Sequence, residues 1–120
     1  DGDRLAVGIP AGDGWRRLAG DETGALLADH LLNATSGSSR LVVRTVVSSH
    51  MLDRMAAHHG VQSAVTLTGT KWIPRPALER PDLRFLFGYE EALGYVVSSE
   101  IREKDGVAAA LLLAEIAAGL

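Results

Sequence analysis

Apolar residues recur along the chain in two patterns, one typical of strands and one typical of helices. Three short runs, at residues 41–47, 61–67 and 84–87, are rich in β-branched or aromatic side chains. Their nearly continuous apolarity favours strands that are covered on both faces, as in a parallel sheet. A fourth run, residues 5–10, reads as a strand that ends at its proline, before a glycine-rich turn at residues 11–14.

Between these runs the chain has residues at the spacing typical of helices. The helical spacing of Leu26, Leu27, His30 and Leu31 predicts a helix that Asp21 caps and that continues to Leu32. A second predicted helix is capped by Ser48 or Ser49 and ends at Gly60. Strands that alternate with helices indicate a three-layer α/β/α sandwich around a mainly parallel, mixed sheet.

The last predicted helix begins after its cap, Asp105, and ends near Gly119. Its sequence, GVAAALLLAEIAA, is apolar nearly all the way round, and Glu115 is its only charge. A helix without a polar face is buried on more than one side. We therefore expect a neighbouring domain or subunit to pack against it; the alternative is that the helix lies deep within this domain.

Composition excludes several classes of protein. The chain has 120 residues, about the size of one domain, with 47% hydrophobic residues, 22% charged residues and a net charge of −3. It therefore has no broad basic face of the kind that binds nucleic acid. Without cysteine it has no disulfide or thiolate metal site. We see no signal peptide and no stretch long enough to cross a bilayer, so we expect a cytoplasmic protein without a membrane partner.

Polar residues follow three of the predicted strands. They are Ser48-Ser49-His50, Thr68-Gly69-Thr70-Lys71 and Glu90-Glu91. In a parallel sheet these segments share the carboxyl edge, where ligands bind in open α/β folds. Lys71 would meet a phosphate, and the two glutamates would accept hydrogen bonds from sugar hydroxyls. The alternatives remain a solvated acidic loop, a surface lysine and a plain helix cap.

Two further groups could bind a metal ion. Asp1 and Asp3 alternate in Asp1-Gly2-Asp3-Arg4, so their carboxylates can point to one side, as Mg²⁺ requires. An exposed, frayed terminus is the alternative. His58 and His59 are adjacent at a helix end and face different directions, which disfavours a metal site there.

Four motifs in order resemble one family, the α-D-phosphohexomutases (phosphoglucomutases and phosphomannomutases). DGDR at residues 1–4 is similar to the end of the family's Asp-x-Asp-x-Asp-Arg metal loop, and TGTKWI at 68–73 resembles its Thr-Gly-x-Lys segment. FGYEEALGY at 87–95 resembles its sugar-reading loop, and IREKDG at 101–106 resembles the segment after that loop. The likeness covers essentially the whole chain.

The resemblance implies a place within a four-domain enzyme. Residues 1–10 would end a preceding domain, and residues 11–120 would form the third, sugar-phosphate-binding domain. The enzyme would move a phosphoryl group between C1 and C6 of a hexose phosphate through a hexose bisphosphate. Its phosphoserine loop and phosphate clamp would lie in other domains, so this chain alone is expected to be inactive.

The resemblance also implies roles for individual residues. Asp1 and Asp3 would be two of three Mg²⁺ ligands, and Arg4 would lie beside the phosphoserine. Lys71, with Thr70, would contact the reacting sugar phosphate. Glu90 would bind sugar hydroxyls.

One residue departs from the family pattern and leaves specificity open. Ala92 stands where the family has a serine, which removes one hydroxyl contact to the sugar. Mannose, glucose or pentose phosphate therefore remain possible substrates, and a phosphopentomutase-type specificity is one alternative. A non-catalytic sugar-phosphate-binding module and a structural or interaction domain are the others.

Overall fold

The computed structural model describes residues 1–100 and 103–120. In chain order its elements are β1 (Gly8–Ala11), β2 (Gly14–Arg17), α1 (Gly20–Ala34), β3 (Arg40–Thr45), α2 (Met51–His58), β4 (Gln62–Thr66), α3 (Arg75–Glu79), β5 (Arg84–Glu90), β6 (Gly94–Val96) and α4 (Gly106–Ala118). The main sheet has the strand order β4-β3-β5-β6. Strand β3 is parallel to β4 and β5, and β6 is antiparallel to β5. The predicted α/β class and mainly parallel, mixed sheet are confirmed.

The two faces of the sheet carry separate cores. On the first face, helices α1, α2 and α4 pack against the sheet around Leu27, Leu52, Phe87 and Tyr89. On the second face, Ile73 and its neighbours cover a smaller core that includes Leu41, Val43, Phe85 and Val96. The three predicted layers are therefore unequal, because α3 is a single short helix.

A β-bulge interrupts β5. Leu41 pairs with Phe85, but the next residue of β3, Val42, pairs with Phe87. Leu86 is thus an extra residue, and both Leu86 and Phe87 belong to the first core. Beyond the bulge alternate residues return to opposite faces, so Tyr89 points to the first face and Gly88 to the second.

The predicted strand at residues 5–10 is displaced. Strand β1 begins at Gly8, continues past Pro10 to Ala11, and pairs with β2 in an antiparallel hairpin whose turn contains Gly12 at a φ of 57°. In a two-stranded hairpin every strand is an edge strand, and an edge strand accommodates a proline. This hairpin spans the predicted domain boundary at residue 10, and the division into residues 1–10 and 11–120 stays a prediction.

The prediction that Asp21 caps the first helix is wrong. Helix α1 starts at Gly20 and its N-cap is Ala19, two residues before the predicted cap; the Ala19 backbone N–H donates to Glu22 Oε1 at 2.8 Å. Asp21 lies inside the first turn and accepts hydrogen bonds from two other elements. The second predicted cap is also shifted: the N-cap of α2 is His50, while Ser49 Oγ accepts from the Met51 backbone N–H at 3.1 Å.

Helix α4 confirms its predicted cap. The Asp105 side chain accepts from the backbone N–H groups of Val107 and Ala108. One side of the helix packs on the first core, while Val107 and Leu111 on another side are 72% and 73% exposed. The alternative that this helix lies deep within the domain is therefore wrong. Within residues 1–100 and 103–120, no helix is long and apolar enough to cross a membrane.

Candidate functional site

The carboxyl ends of β3, β4 and β5 meet at one edge of the sheet, since these strands are parallel. Three polar segments follow them, as the sequence predicts. The first is residues 46–50 after β3, in which the predicted Ser48-Ser49-His50 follows two valines. The others are the lysine turn (residues 68–71) after β4 and the acidic loop (residues 90–94), which begins with the last residue of β5, Glu90. Strand β3 lies between the other two, so the lysine turn and the acidic loop lie on either side of residues 46–50.

The chain after the lysine turn crosses the second face of the sheet over β5. Ile73 is fully buried, and its Cγ2 lies only 2.4 Å from the point that a Cβ on Gly88 would occupy. Gly88 and Glu90 point to the same face, because they are two residues apart in a strand. The path of the chain therefore brings the lysine turn to the side of β5 on which Glu90 lies.

Lys71 itself is solvent-exposed, and its Nζ lies 5.2 Å from the centre of the Trp72 ring. The guanidinium of Arg75 lies 5.0 Å from the same ring. Thr70 is half-buried, and Gly69 has a φ of 123°, which a residue with a side chain rarely adopts. The turn therefore presents one ammonium group at the edge of the sheet, held against an aromatic face.

The two glutamates of the acidic loop have different surroundings. Glu90 is 5% exposed, and its Oε1 lies 3.3 Å from Lys104 Nζ. Glu91 is half-buried, and its Oε2 accepts a hydrogen bond from Thr45 Oγ1 at 3.3 Å. The loop turns back at Leu93, whose φ of 69° lies in the left-handed region. Such a conformation costs a leucine roughly 1–2 kcal/mol, and strained residues of this kind cluster at functional sites.

Lys104 connects the acidic loop to the start of the chain. Its Nζ lies 3.6 Å from Asp3 Oδ2 as well as 3.3 Å from Glu90 Oε1. The backbone N–H of Gly106 donates to Gly2 O at 2.9 Å, and a Cβ on Gly106 would lie 2.2 Å from Arg4 O. The beginning of α4 therefore holds residues 1–4 next to the acidic loop.

Asp1 and Arg4 are exposed and Asp3 is half-buried in this arrangement. Over residues 1–100 and 103–120, no group of three or more His, Cys, Asp or Glu side chains could hold a metal ion. The carboxylates of Asp1 and Asp3 are hard oxygen donors of the type that Mg²⁺ prefers, but they supply only part of a coordination shell.

A buried arginine, Arg44, contacts the carboxyl end of β3 and the segment that follows it. Arg44 is 4% exposed, and its guanidinium donates to both carboxylate oxygens of Asp53, at 3.0 and 2.8 Å. It also donates to the carbonyl groups of Thr45 and Ser48 at 3.2 Å. The hydrogen bonds to Asp53 raise the pKa of Arg44 further above its usual value. These contacts fix residues 46–50, so the site rests on rigid strand ends.

Comparison with known proteins identifies the family. The model of the phosphoglucomutase/phosphomannomutase alpha/beta/alpha domain III matches residues 19–119. The chain belongs to this family. Its third-domain fold explains the three parallel strands and the polar edge that they share.

Several relatives share more than a third of their aligned residues with this domain III chain. A probable phosphoribomutase from Schizosaccharomyces pombe is 40% identical over 89% of the chain and 19% of its own length. A probable phosphomannomutase from Haemophilus influenzae is 37% identical over 100% of the chain and 24% of its own length. The mouse phosphopentomutase is 36% identical over 100% of the chain and 21% of its own length. The chain thus spans about a fifth to a quarter of the curated relatives that it matches.

Solved structures of the family share the fold. The crystal structure of a putative phosphomannomutase from Thermus thermophilus superimposes with a TM-score of 0.78 and 27% identity, over 94% of this chain and 24% of that chain. A phosphoglucomutase, parafusin, from Paramecium superimposes with a TM-score of 0.61 and 28% identity, over 82% of this chain and 17% of that chain.

Sequence reasoning predicted that the three polar segments share one edge of the sheet, but it missed Lys104. The paired glutamates have no basic residue within their own stretch, and Lys104 lies 14 positions after Glu90. The segment IREKDG pointed to this region as part of the family resemblance, without any role for its lysine. Only the folded chain shows that Lys104 joins Asp3 and Glu90.

Proposed function

We propose that this chain is the sugar-phosphate-binding domain of a phosphohexomutase. The complete enzyme moves a phosphoryl group between C1 and C6 of a hexose phosphate through a hexose bisphosphate that reorients in the cleft. The observation that carries the proposal is the common edge, where the lysine turn and the acidic loop flank residues 46–50 in a chain that belongs to the phosphoglucomutase/phosphomannomutase family.

The lysine turn would bind the phosphate of the substrate. Lys71 is exposed and carries its ammonium group at the edge of the sheet, where it can meet a dianionic phosphate directly. Thr70 adds a hydroxyl donor beside it. Phosphoryl transfer depends on positioning and on neutralising charge, and both are tasks that a lysine held against Trp72 can perform.

The acidic loop would bind the sugar hydroxyls. An ionised carboxylate offers about four acceptor positions, and Lys104 occupies only one of those of Glu90. The remaining acceptor positions of Glu90, together with Glu91, match the hydroxyl donors of a hexose. Lys104 gives the buried Glu90 carboxylate an oppositely charged partner, which offsets the cost of burying its charge.

Residues 1–4 would contribute to the phosphoryl-transfer centre. Asp1 and Asp3 would supply two of the ligands of Mg²⁺, which commonly binds through one or two carboxylates and completes its shell with waters and phosphate. When bound, the ion would neutralise charge on the transferring group. Arg4 would do the same from the side of the phosphoserine, which another domain would supply.

Two substitutions in the complete mutase test the proposal. Lys71→Ala and Glu90→Gln should each lower kcat/KM for the sugar phosphate by more than about tenfold while the fold, measured by circular dichroism, stays intact. Arg75→Ala is the matched control for Lys71, since it also removes a cation from the Trp72 ring. Glu79→Gln, in the exposed part of α3, is the control for Glu90. Unchanged activity in both test variants would refute the assignment.

The chain alone should be inactive, because the phosphoserine and the phosphate clamp would come from other domains of the complete, cytoplasmic enzyme. Glucose 1-phosphate, Mg²⁺ and a bisphosphate activator are the reagents for this test. Steady turnover by the 120-residue chain would contradict the proposal.

A pentose phosphate is the second candidate substrate. Relatives named phosphoribomutase and phosphopentomutase align over most or all of the chain, and Ala92 lacks the hydroxyl that the family serine offers. The measurement is kcat/KM for mannose 1-phosphate, glucose 1-phosphate and ribose 1-phosphate, in the original protein and in Ala92→Ser. One hydrogen bond is worth about 0.5–1.5 kcal/mol, so the added serine should change the preference by at most about tenfold.

A further inference from the structure

The carboxylate of Asp21 accepts hydrogen bonds from two segments at the edge of the sheet. Its Oδ1 accepts a hydrogen bond from the Ser49 backbone N–H at 2.8 Å and another from the Tyr89 hydroxyl at 2.6 Å. Ser49 lies in the segment that follows β3, and Tyr89 directly precedes Glu90. One oxygen atom therefore joins residues 46–50 to the strand that delivers the acidic loop.

Two glycines let the first turn of α1 come into close contact with that loop. A Cβ on Gly20 would lie 1.9 Å from Glu91 O, and a Cβ on Gly24 would lie 2.7 Å from Cε2 of the Tyr89 ring. On the other side of the loop, the Tyr95 hydroxyl donates to Gly20 O at 3.4 Å. The turn thus contacts the chain before, within and after the acidic loop.

We propose that Gly20, Asp21 and Gly24, which we call the α1 seat, fix the acidic loop relative to residues 46–50, with Asp21 as a positioning residue for sugar binding. This inference rests on the proposed function, because it concerns the same edge of the sheet. Asp21 acts through Tyr89 and does not itself touch the sugar. Its effect on the reaction is therefore an effect on where Glu90 lies.

The chemistry of the pair supports this role. Burial and the neighbouring Asp21 carboxylate raise the pKa of Tyr89, so the phenol remains a hydrogen-bond donor throughout the physiological range. A phenol that donates to a carboxylate makes a charge-assisted hydrogen bond, which is stronger than a neutral one. The separation between the two loops is thus held by a strong contact as well as by the packing of Gly20 and Gly24.

The kinetic test compares Asp21→Ala, Asp21→Asn and a control in the complete mutase. Loss of the shared acceptor should raise KM for the sugar phosphate about tenfold and leave kcat within about twofold, since a misplaced Glu90 weakens ground-state and transition-state binding alike. Asp21→Asn keeps an acceptor oxygen, so its KM should stay close to that of the original protein. Leu32→Val, a core change at the other end of α1, should lower stability without changing KM.

Hydrogen exchange supplies a readout that does not depend on catalysis. Amide exchange in residues 46–50 and 90–94 should be faster in Asp21→Ala than in the original protein, and unchanged in Leu32→Val. Tyr89→Phe removes one hydroxyl and keeps the ring, so it should speed exchange in residues 90–94 only. This variant keeps the test possible if Asp21→Ala does not fold.

The outcomes separate the two proposals. If the complete protein shows no mutase activity, the proposed function fails, and hydrogen exchange still tests the α1 seat. Unchanged exchange in both segments of Asp21→Ala refutes the α1 seat, whatever the activity. If Asp21→Ala does not fold, unchanged exchange in residues 90–94 of Tyr89→Phe refutes it. The positioning role is refuted if Asp21→Ala loses stability as Leu32→Val does but keeps the KM of the original protein.

Discussion

Replacing Gly88 with alanine should disturb the path of the chain after the lysine turn. The new methyl group would lie 2.4 Å from Ile73 Cγ2 and 3.1 Å from Phe85 Cζ. Carbon atoms pack best at about 3.5–4.0 Å, so Ile73 would have to move by more than about 1 Å. Its Cγ2 is attached directly to a β-branched carbon and the side chain is fully buried, so the backbone around Ile73 must move with it.

The cost follows from this overlap. Overpacking of a core by one methyl group costs about 1–3 kcal/mol, and the lower backbone entropy of alanine in the unfolded chain returns about 0.5–1 kcal/mol. We expect a net loss of about 1–2 kcal/mol. With a urea m-value of about 2 kcal/mol/M, the unfolding midpoint should fall by about 0.5–1 M.

Urea unfolding of the chain, followed by tryptophan fluorescence, measures this loss, and Trp72 lies next to the affected residue. Gly14→Ala is the matched control, since a Cβ on that strand glycine would meet nothing within 4 Å. In the double variant Gly88→Ala/Ile73→Ala, the Cγ2 methyl of Ile73 that clashes with the new alanine is absent. The loss of stability in the double variant should therefore be smaller than the sum of the losses in the two single variants. Equal stability of Gly88→Ala and Gly14→Ala, or strict additivity in the double variant, would show that Ile73 does not pack on Gly88.

Three further predictions concern the framework of the site. Asp105→Ala should lower the free energy of unfolding by about 1 kcal/mol, because it leaves two backbone N–H groups of α4 without their cap, whereas Asp105→Asn should lose much less in the same urea experiment. Asp53→Ala should cost about 1–3 kcal/mol, since it leaves the buried guanidinium of Arg44 without its charged partner, and Asp53→Glu should not restore the loss fully if the two-point geometry matters. The pKa of Tyr89 is raised in the folded chain, so above about pH 10 the unfolded chain binds fewer protons than the folded chain. Stability should therefore fall as the pH rises above about 10, and Tyr89→Phe should weaken that fall.

Much of the fold could be predicted because strong local signals agree with the tertiary structure. Residues 41–45 of the predicted strand 41–47 lie in β3, whereas Val46 and Val47 lie beyond its end, and Asp105 caps α4 at its predicted position. Strands β2 and β6 were missed because they have four and three residues, too few for an alternating pattern to stand out. Their pairing partners, not their own residues, make them strands.

The errors at the site have one physical cause, which is that a side chain can serve a distant element. Asp21 has the residue type and position of a helix cap, yet its carboxylate is used by Ser49 and Tyr89. The sequence pattern does not indicate that Lys104 pairs with Glu90, because the contact depends on how the chain folds back after β6. The expectation of a parallel sheet predicted that the three polar segments share one edge, but not which side chains meet there.

The bulge at Leu86 decides which face each later residue of β5 presents. Phe85 and Phe87 are two positions apart and yet lie on opposite faces, because Leu86 is the extra residue. Deleting Leu86 would therefore leave a regular ladder in which Tyr89 and Glu90 keep their partners and their faces. A one-residue deletion between Phe87 and Glu90 would instead turn Glu90 towards α1, away from Ile73 and the lysine turn. The direction of Glu90 thus depends on the length of the strand after the bulge and not on the bulge residue itself.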